Sequence, residues 1–156
     1  MKLCIKQRVF AWGDKYDVYD EQGRSRYFVR SELFTFGHQI HVYDTVTGEE
    51  VGFVSQRLFT LFSCFDISIG GREVGTVRRQ FSLFSPRYEV DFMGWSVEGY
   101  PFGWDYDIFR GNQKVVSISK EILSWSDTYV LDFHNPADEI PGLLLVIAID
   151  AANCDH

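Results

Sequence analysis

The chain lacks most of the residue patterns that announce a function. It has three cysteines, Cys4, Cys64 and Cys154, far apart and without a Cys-x-x-Cys pair. Scattered thiols give no disulfide framework, and an odd count without a secretory leader predicts reduced thiols in a cytoplasm. The opening stretch MKLCIKQR has no long apolar core, so no signal peptide is expected. Cations are in deficit, with 15 Lys plus Arg against 22 Asp plus Glu and a net charge of −7. Neutralising phosphates needs clustered cations, so nucleic acid is not an expected partner. No apolar run reaches the roughly 20 residues of a membrane-crossing helix, and no lipidation motif is present. What remains is globular in composition. A hydrophobic content of 46% excludes disorder, and 156 residues make one domain, 1–156, with a sizeable core.

Catalytic constellations are missing too. There is no Gly-x-Ser-x-Gly elbow and no flanked catalytic cysteine; Cys64, between Ser63 and Phe65, reads as a small core residue. The stretch Gly70-Gly71-Arg72-Glu73-Val74-Gly75 has the look of a phosphate cradle. It lacks a following Lys-Ser/Thr and opens no helix, so it reads as a hairpin turn. His38 and His41 would point to opposite faces of a strand and not ligate one ion together. His134 has only Asp132 nearby, and His156 sits in a terminal tail with Cys154 and Asp155. Asp14, Asp17 and Asp20 cluster, while Asp105 and Asp107 alternate with Trp104, Tyr106 and Ile108 as a solvated strand face does. Glycoside hydrolysis needs two carboxylates convergent on an aromatic cleft, which these do not offer. No metal, no cofactor and no catalysis are expected.

What the chain does have is a repeat. A small aliphatic residue is followed seven positions later by a large apolar one, usually by a second bulky residue at plus four, and by another aliphatic two further on. The units read Ile5–Trp12–Tyr16–Val18, Val29–Phe36–Ile40–Val42, Val54–Leu61–Phe65–Ile67, Val77–Phe84–Tyr88–Val90, Val97–Trp104–Ile108 and Ile118–Trp125–Tyr129–Leu131. The fifth is degenerate, with Arg110 in its last place. Steps of 24, 25, 23, 20 and 21 residues separate the large apolar positions, and such self-similarity fixes an architecture. Tyr88-Glu89-Val90-Asp91-Phe92 and Tyr16-Asp17-Val18-Tyr19-Asp20 alternate strictly, as half-buried strands do. Gly23, Gly48, Gly70-Gly71 and Gly111-Asn112 supply tight hairpin turns between them. Two strands per unit predict about twelve strands.

Residues 138–152 break the pattern with a nearly unbroken apolar run. Asp138 is the expected N-cap and Pro141 then falls in the first turn, where its missing N–H costs nothing. A helix apolar all round belongs in an interior. Val146, Ile147 and Ile149 leave a buried strand as the alternative. The helix suits the strand count. About eight strands make a barrel filled by its own side chains and about sixteen leave a channel, so twelve leave a hole that a helix roughly 10 Å across would plug. The expectation is a mainly β, closed antiparallel barrel around a central hydrophobic C-terminal helix.

From Met1 to about Asp150 the chain resembles the LURP-one-related family. The matching stretches are Ile5-Lys6-Gln7-Arg8-Val9-Phe10 with Trp12-Gly13-Asp14, Val18-Tyr19-Asp20 followed by Gly23, and Gly94-Trp95-Ser96-Val97-Glu98-Gly99. Ser117-Ile118-Ser119-Lys120, Asp127-Thr128-Tyr129 and Ala148-Ile149-Asp150 complete the set, in order along the chain. Pro141-Gly142 departs from the helix formers expected there. The family's fold is similar to the tubby C-terminal domain and the phospholipid scramblases, so the resemblance implies a twelve-stranded barrel around a hydrophobic helix.

Two surfaces are candidates for function. Arg72, Arg78, Arg79 and Arg87 share one unit with Glu73 and Glu89, a balance of four minus two, +2, on an acidic chain. Tubby relatives bind phosphoinositide head groups through basic strand positions, so the resemblance implies an anionic ligand here. A solvated sheet edge whose charges block pairing is the other reading. Trp95, Tyr100, Phe102 and Trp104 stand around Pro101 and Gly103 and suit a protein-interaction scaffold, since Tyr and Trp are favoured at interface hot spots. The expected protein is a non-enzymatic, cytoplasmic binding module, peripheral at the membrane, for an anionic ligand or phospholipid head group. A scaffold for a protein partner is the alternative.

Overall fold

A computed structural model describes residues 1–6, 15–34, 37–80, 82–83, 87–123 and 126–154. Its strands are β1 Lys2–Lys6, β2 Lys15–Tyr19, β3 Ser25–Phe34, β4 Gly37–Asp44, β5 Glu50–Gln56 and β6 Cys64–Ile69. They continue as β7 Arg72–Gln80, β8 Arg87–Phe92, β9 Trp95–Tyr100, β10 Asp105–Arg110, β11 Gln113–Leu123 and β12 Ser126–Phe133. All pairings are antiparallel, and the order around the sheet is β8-β7-β6-β5-β4-β3-β2-β1-β12-β11-β10-β9. The ring is complete but for one seam, between β8 and β9, where Phe92 and Trp95 meet edge to face at 5.2 Å.

The repeat is the register of these hairpins. Its first and fourth residues, thirteen apart, are cross-strand partners: Val29↔Val42, Val54↔Ile67, Val77↔Val90 and Ile118↔Leu131. In the degenerate unit the hairpin is shorter, and Val97 faces Ile108 instead. These positions point into the barrel, and most are fully buried. Alternation does the rest, because a one-residue slip would turn every one of them outward. The unit's second residue falls between strands. Leu61 and Trp104 are described there; Trp12, Phe36, Phe84 and Trp125 lie outside the described residues.

The lumen is filled by one helix, α1, Glu139–Cys154. It is about 24 Å long at ~1.5 Å per residue and packs most closely on β5, β6 and β7. Residues 143–152 are all buried, so the apolar run is a helix and not a strand. Its cap differs from expectation. Asn135 Oδ1 accepts the Ala137 N–H at 3.0 Å and caps a short 3-10 turn, Pro136–Asp138, that leads into α1. Asp138 instead takes the Arg110 guanidinium at 2.6 Å. Pro141 does lie in the first turn. Gly142 is explained by its neighbour, since a Cβ there would strike the Phe133 ring.

Both ends of α1 are tied down. Glu139 is buried at the helix N-terminus, where the macrodipole favours a carboxylate. Arg26 Nη2 donates to both of its oxygens, at 3.2 and 3.3 Å. Burial and the same carboxylate push the pKa of the adjacent Tyr27 hydroxyl well up. At the other end Asn153 Nδ2 donates to the Pro101 carbonyl at 3.3 Å.

Alternating strand direction gives the barrel two unlike ends. The hairpins β2–β3, β4–β5, β6–β7, β8–β9 and β10–β11, among them Gly70-Gly71 and Met93-Gly94 with positive φ throughout, lie at the end where α1 begins. The connections β1–β2, β3–β4, β5–β6, β7–β8, β9–β10 and β11–β12 lie at the other. We call these the turn end and the loop end.

Two predictions test the packing and the thiols. A Cβ at Gly52 would overlap the Leu144 side chain. Gly52→Ala should therefore destabilise the protein by about 1–3 kcal/mol, and in urea denaturation the loss should be smaller when Leu144→Ala is already present. Equal stability of Gly52→Ala and the wild type would contradict this. The Cys4 and Cys64 thiols are free. Burial pushes the Cys4 thiol up, with Glu121, Glu21 and Asp20 adding to it against Lys2. A raised pKa keeps it protonated at neutral pH, so native alkylation should be slow. A thiol reagent in denaturant should count three with or without prior reduction.

Candidate functional surface

The four arginines do not form one site. Arg72 opens β7 beside the Gly70-Gly71 turn, at the turn end. Arg78 is six residues further on, roughly 20 Å at ~3.3 Å per residue. Arg78 and Arg87 do come together on the outer face near the loop end, both exposed. Arg78 stands opposite Glu89, and Arg87 opposite Gln80. The two are thus diagonal neighbours, about 7–8 Å apart. Gln80 Nε2 donates to Glu89 Oε2 at 3.1 Å, which draws part of that carboxylate's hydrogen bonding away from Arg78. Arg79 shares the inward parity of the fully buried Val77 and is half-buried.

The aromatic candidates separate as well. Trp95 is only 4% exposed, with Arg110 over its ring at 5.4 Å. Trp104 is 6% exposed and stacked on Tyr129 at 3.9 Å. Both belong to the core, so neither can serve a partner surface. The reason is local. A 3-10 turn at Pro101–Gly103 delivers Trp104 at φ 58, and its N–H donates to the Pro101 carbonyl, which swings the ring inward. Tyr100 remains half-exposed, and the Phe102 side chain lies outside the described part.

The carboxylate clusters build turns. Asp20 accepts the N–H of Gln22 and of Arg24, each at 2.9 Å. These bonds, chiefly the one from Arg24, hold its carboxyl below the usual range. Asp17 accepts from Ser25 Oγ at 2.7 Å, and Asp107 takes Lys114 at 3.5 Å. Asp14 lies outside the described residues. His38 faces inward and His41 outward, as their spacing requires. Among the described residues no His, Cys, Asp and Glu group of three is placed to hold a metal ion.

An open recess of about 370 Å³ lies on the outer face of β4, β5 and β6, with His41, Phe53 and Ser68 along its floor. His41 Nδ1 is 2.8 Å from Glu50 Oε1, and Glu32 lies 4.0 Å from Nε2. The histidine is oriented like a base, but Ser68 is two strands away, with Phe53 between them in the register. At ~4.8 Å per strand that is roughly 10 Å, beyond hydrogen-bond reach, so the recess holds no activated serine.

Side chains that the sequence pattern concealed are exposed instead. Leu33, Phe59, Leu61 and Leu83 stand in solvent at the loop end. A signal was present in Leu58-Phe59-Thr60-Leu61-Phe62, an apolar cluster where a connection is expected to be polar. Leu61, however, satisfied the repeat and read as part of it.

Comparison with known proteins agrees with this architecture. Similarity extends to the uncharacterised protein YxjI of Bacillus subtilis, 25% identical over 150 residues, which are 96% of this chain and 92% of that one. An X-ray structure of an Arabidopsis thaliana protein superposes with a TM-score of 0.63 at 16% identity, covering 96% of this chain and 89% of the other. The LURP-one-related family model matches residues 1–150. A twelve-stranded, nearly closed barrel with a helix through it, matched by that model over almost its whole length, belongs to the LURP-one-related family.

Proposed function

We propose that the chain is a binding module without catalysis whose loop-end surface engages an anionic partner, namely the head groups of an anionic bilayer at the inner face of a cell membrane. No helix among the described residues is long and apolar enough to cross a membrane, and the attachment in this reading is peripheral. The observation that carries the reading is a pair of exposed cations on the outer face near the loop end, Arg78 and Arg87, diagonal neighbours across β7 and β8. Both ends of the barrel carry both signs, with Lys2, Arg24, Arg26, Arg72, Arg110 and Lys114 at the turn end and Glu32, Asp66, Glu89, Asp105 and Glu121 toward the loop end. A net charge of −7 repels an anionic surface on average, so binding depends on that local patch and not on the overall charge. Arg78 and Arg87, exposed and adjacent, are the cations best placed to meet phosphates.

Co-sedimentation with vesicles tests the proposal. Vesicles containing phosphatidylserine or a phosphoinositide should retain the protein at low salt, vesicles of phosphatidylcholine alone much less. At about 1 kcal/mol for each cation near a charged surface, Arg78→Ala with Arg87→Ala should weaken binding by roughly 30-fold. Added salt should weaken it too, since exposed charges are screened within roughly 8–10 Å. Melting temperature must be unchanged, because an arginine stem also covers apolar surface. No sedimentation of the wild type at low salt would overturn the reading.

A further inference from the structure

Large apolar side chains stand in water at the loop end on separate segments. Leu33 is the last but one residue of β3, Phe59 and Leu61 lie between β5 and β6, Leu83 lies between β7 and β8, and Tyr100 ends β9. Phe59 is 103% exposed, Leu61 90% and Leu83 78%. At the turn end, among the described residues, only Val46 and Met93 are comparable. One exposed leucine needs no explanation, but several gathered at one end of a molecule do.

The connection from β5 to β6 is built to hold its tip outward. Arg57 N–H donates to the Cys64 carbonyl at 2.8 Å, so the base of the loop is closed. The Arg57 guanidinium grips Asp66 with two bonds, at 3.3 and 2.7 Å. Arg79 N–H donates to the Ser63 carbonyl at 2.8 Å, which ties the loop to β7. Between these anchors Phe59 sits at φ 58, a left-handed conformation that bulky L residues avoid. Such strain persists only where the surroundings impose it, and it concentrates at functional segments.

We propose that these loop tips insert into the interfacial layer of an anionic bilayer, with the barrel standing on its loop end and its turn end directed away. This deepens the reading above, from attraction of charges to burial of side chains, and rests on it for the choice of surface. Two features favour a bilayer over a protein. The tips sit on separate segments, Phe59 and Leu61 on a loop that itself lines an open recess of about 250 Å³ and Leu33, Leu83 and Tyr100 elsewhere; a fluid apolar layer accepts scattered tips without shape complementarity. Lys15, Arg78 and Arg87, all exposed, lie toward the same end and supply the cations that lipid phosphates need when the tips reach the acyl boundary.

The test compares Phe59→Ser with Leu61→Ser, combined, against the wild type and against Arg78→Ala with Arg87→Ala. The readouts are vesicle partition and the surface-pressure rise of a phosphatidylserine-containing monolayer. Both serine substitutions are at exposed positions, so melting should be unaffected. The wild type should raise the pressure and the serine variant should not. The serine variant should bind vesicles at least tenfold more weakly, which is about 1.4 kcal/mol, while keeping a salt-sensitive residue of binding. If the wild type binds anionic vesicles, raises no pressure and is matched by the serine variant, insertion is wrong and charge attraction stands. If the serine substitutions abolish binding and the arginine substitutions do not, insertion stands and the arginine reading falls. If neither lipid assay responds to the wild type, both fail. Self-association in sedimentation velocity, lost in the serine variant and without a pressure rise, would make a second copy the occupant and overturn the proposal.

Discussion

The rest of the structure depends on filling a hole. A ring of twelve strands encloses more space than its inward side chains can occupy. An empty apolar lumen would forfeit the dispersion contacts of every residue lining it. The chain meets this demand with α1, whose residues 142–153 are all buried. The demand then propagates outward. Gly52 lacks a side chain because Leu144 occupies that space, and Gly142 because Phe133 does. Glu139 is buried because the helix must start inside the ring, and it is tolerated there because Arg26 and the helix N-terminus both satisfy its charge.

A filled lumen has a functional consequence. With α1 occupying the interior, the outer face and the two ends are the surfaces the described residues offer for recognition. The ends are not equivalent. Antiparallel strands in sequence order alternate their connections between the two ends, with Gly23, Gly48, Gly70-Gly71, Gly94 and Gly111 all in hairpins at one of them. Exposed Leu33, Phe59, Leu61 and Leu83 stand at the loop end, with Arg78 and Arg87 on the outer face near it. A molecule with its exposed apolar side chains gathered at one pole is not symmetric in what its two ends offer a partner.

How far the sequence reveals this follows from the kind of contact involved. The strands are legible because each hairpin writes its register into the chain as a fixed step, Val54 to Ile67 or Val77 to Val90. The helix is legible because no surface element is apolar on every side. Contacts between distant segments leave no such mark. The Arg26–Glu139 pair spans 113 positions, and nothing near either residue points to the other. Trp104 stands in a stretch rich in Gly and Pro that resembles an exposed insertion, yet one left-handed residue turns its ring onto Tyr129. Leu61 obeys the repeat while pointing into solvent, because the repeat records where a hairpin turns and not which way the residue at the turn faces. Arg72 and Arg78 are close in sequence and far apart in space, since an extended strand separates them.

The claim that α1 holds the barrel together can be tested by removing it. A chain ending at Gly142 keeps every strand and loses the lumen residues Leu143 to Ala152. A single large-to-alanine change in a core costs about 2–5 kcal/mol, and this deletion removes many such side chains at once. The account predicts no cooperative thermal transition for the shortened chain and loss of native β circular dichroism. A cooperative melt with an unchanged β spectrum would show that the ring stands without its helix and would contradict the account.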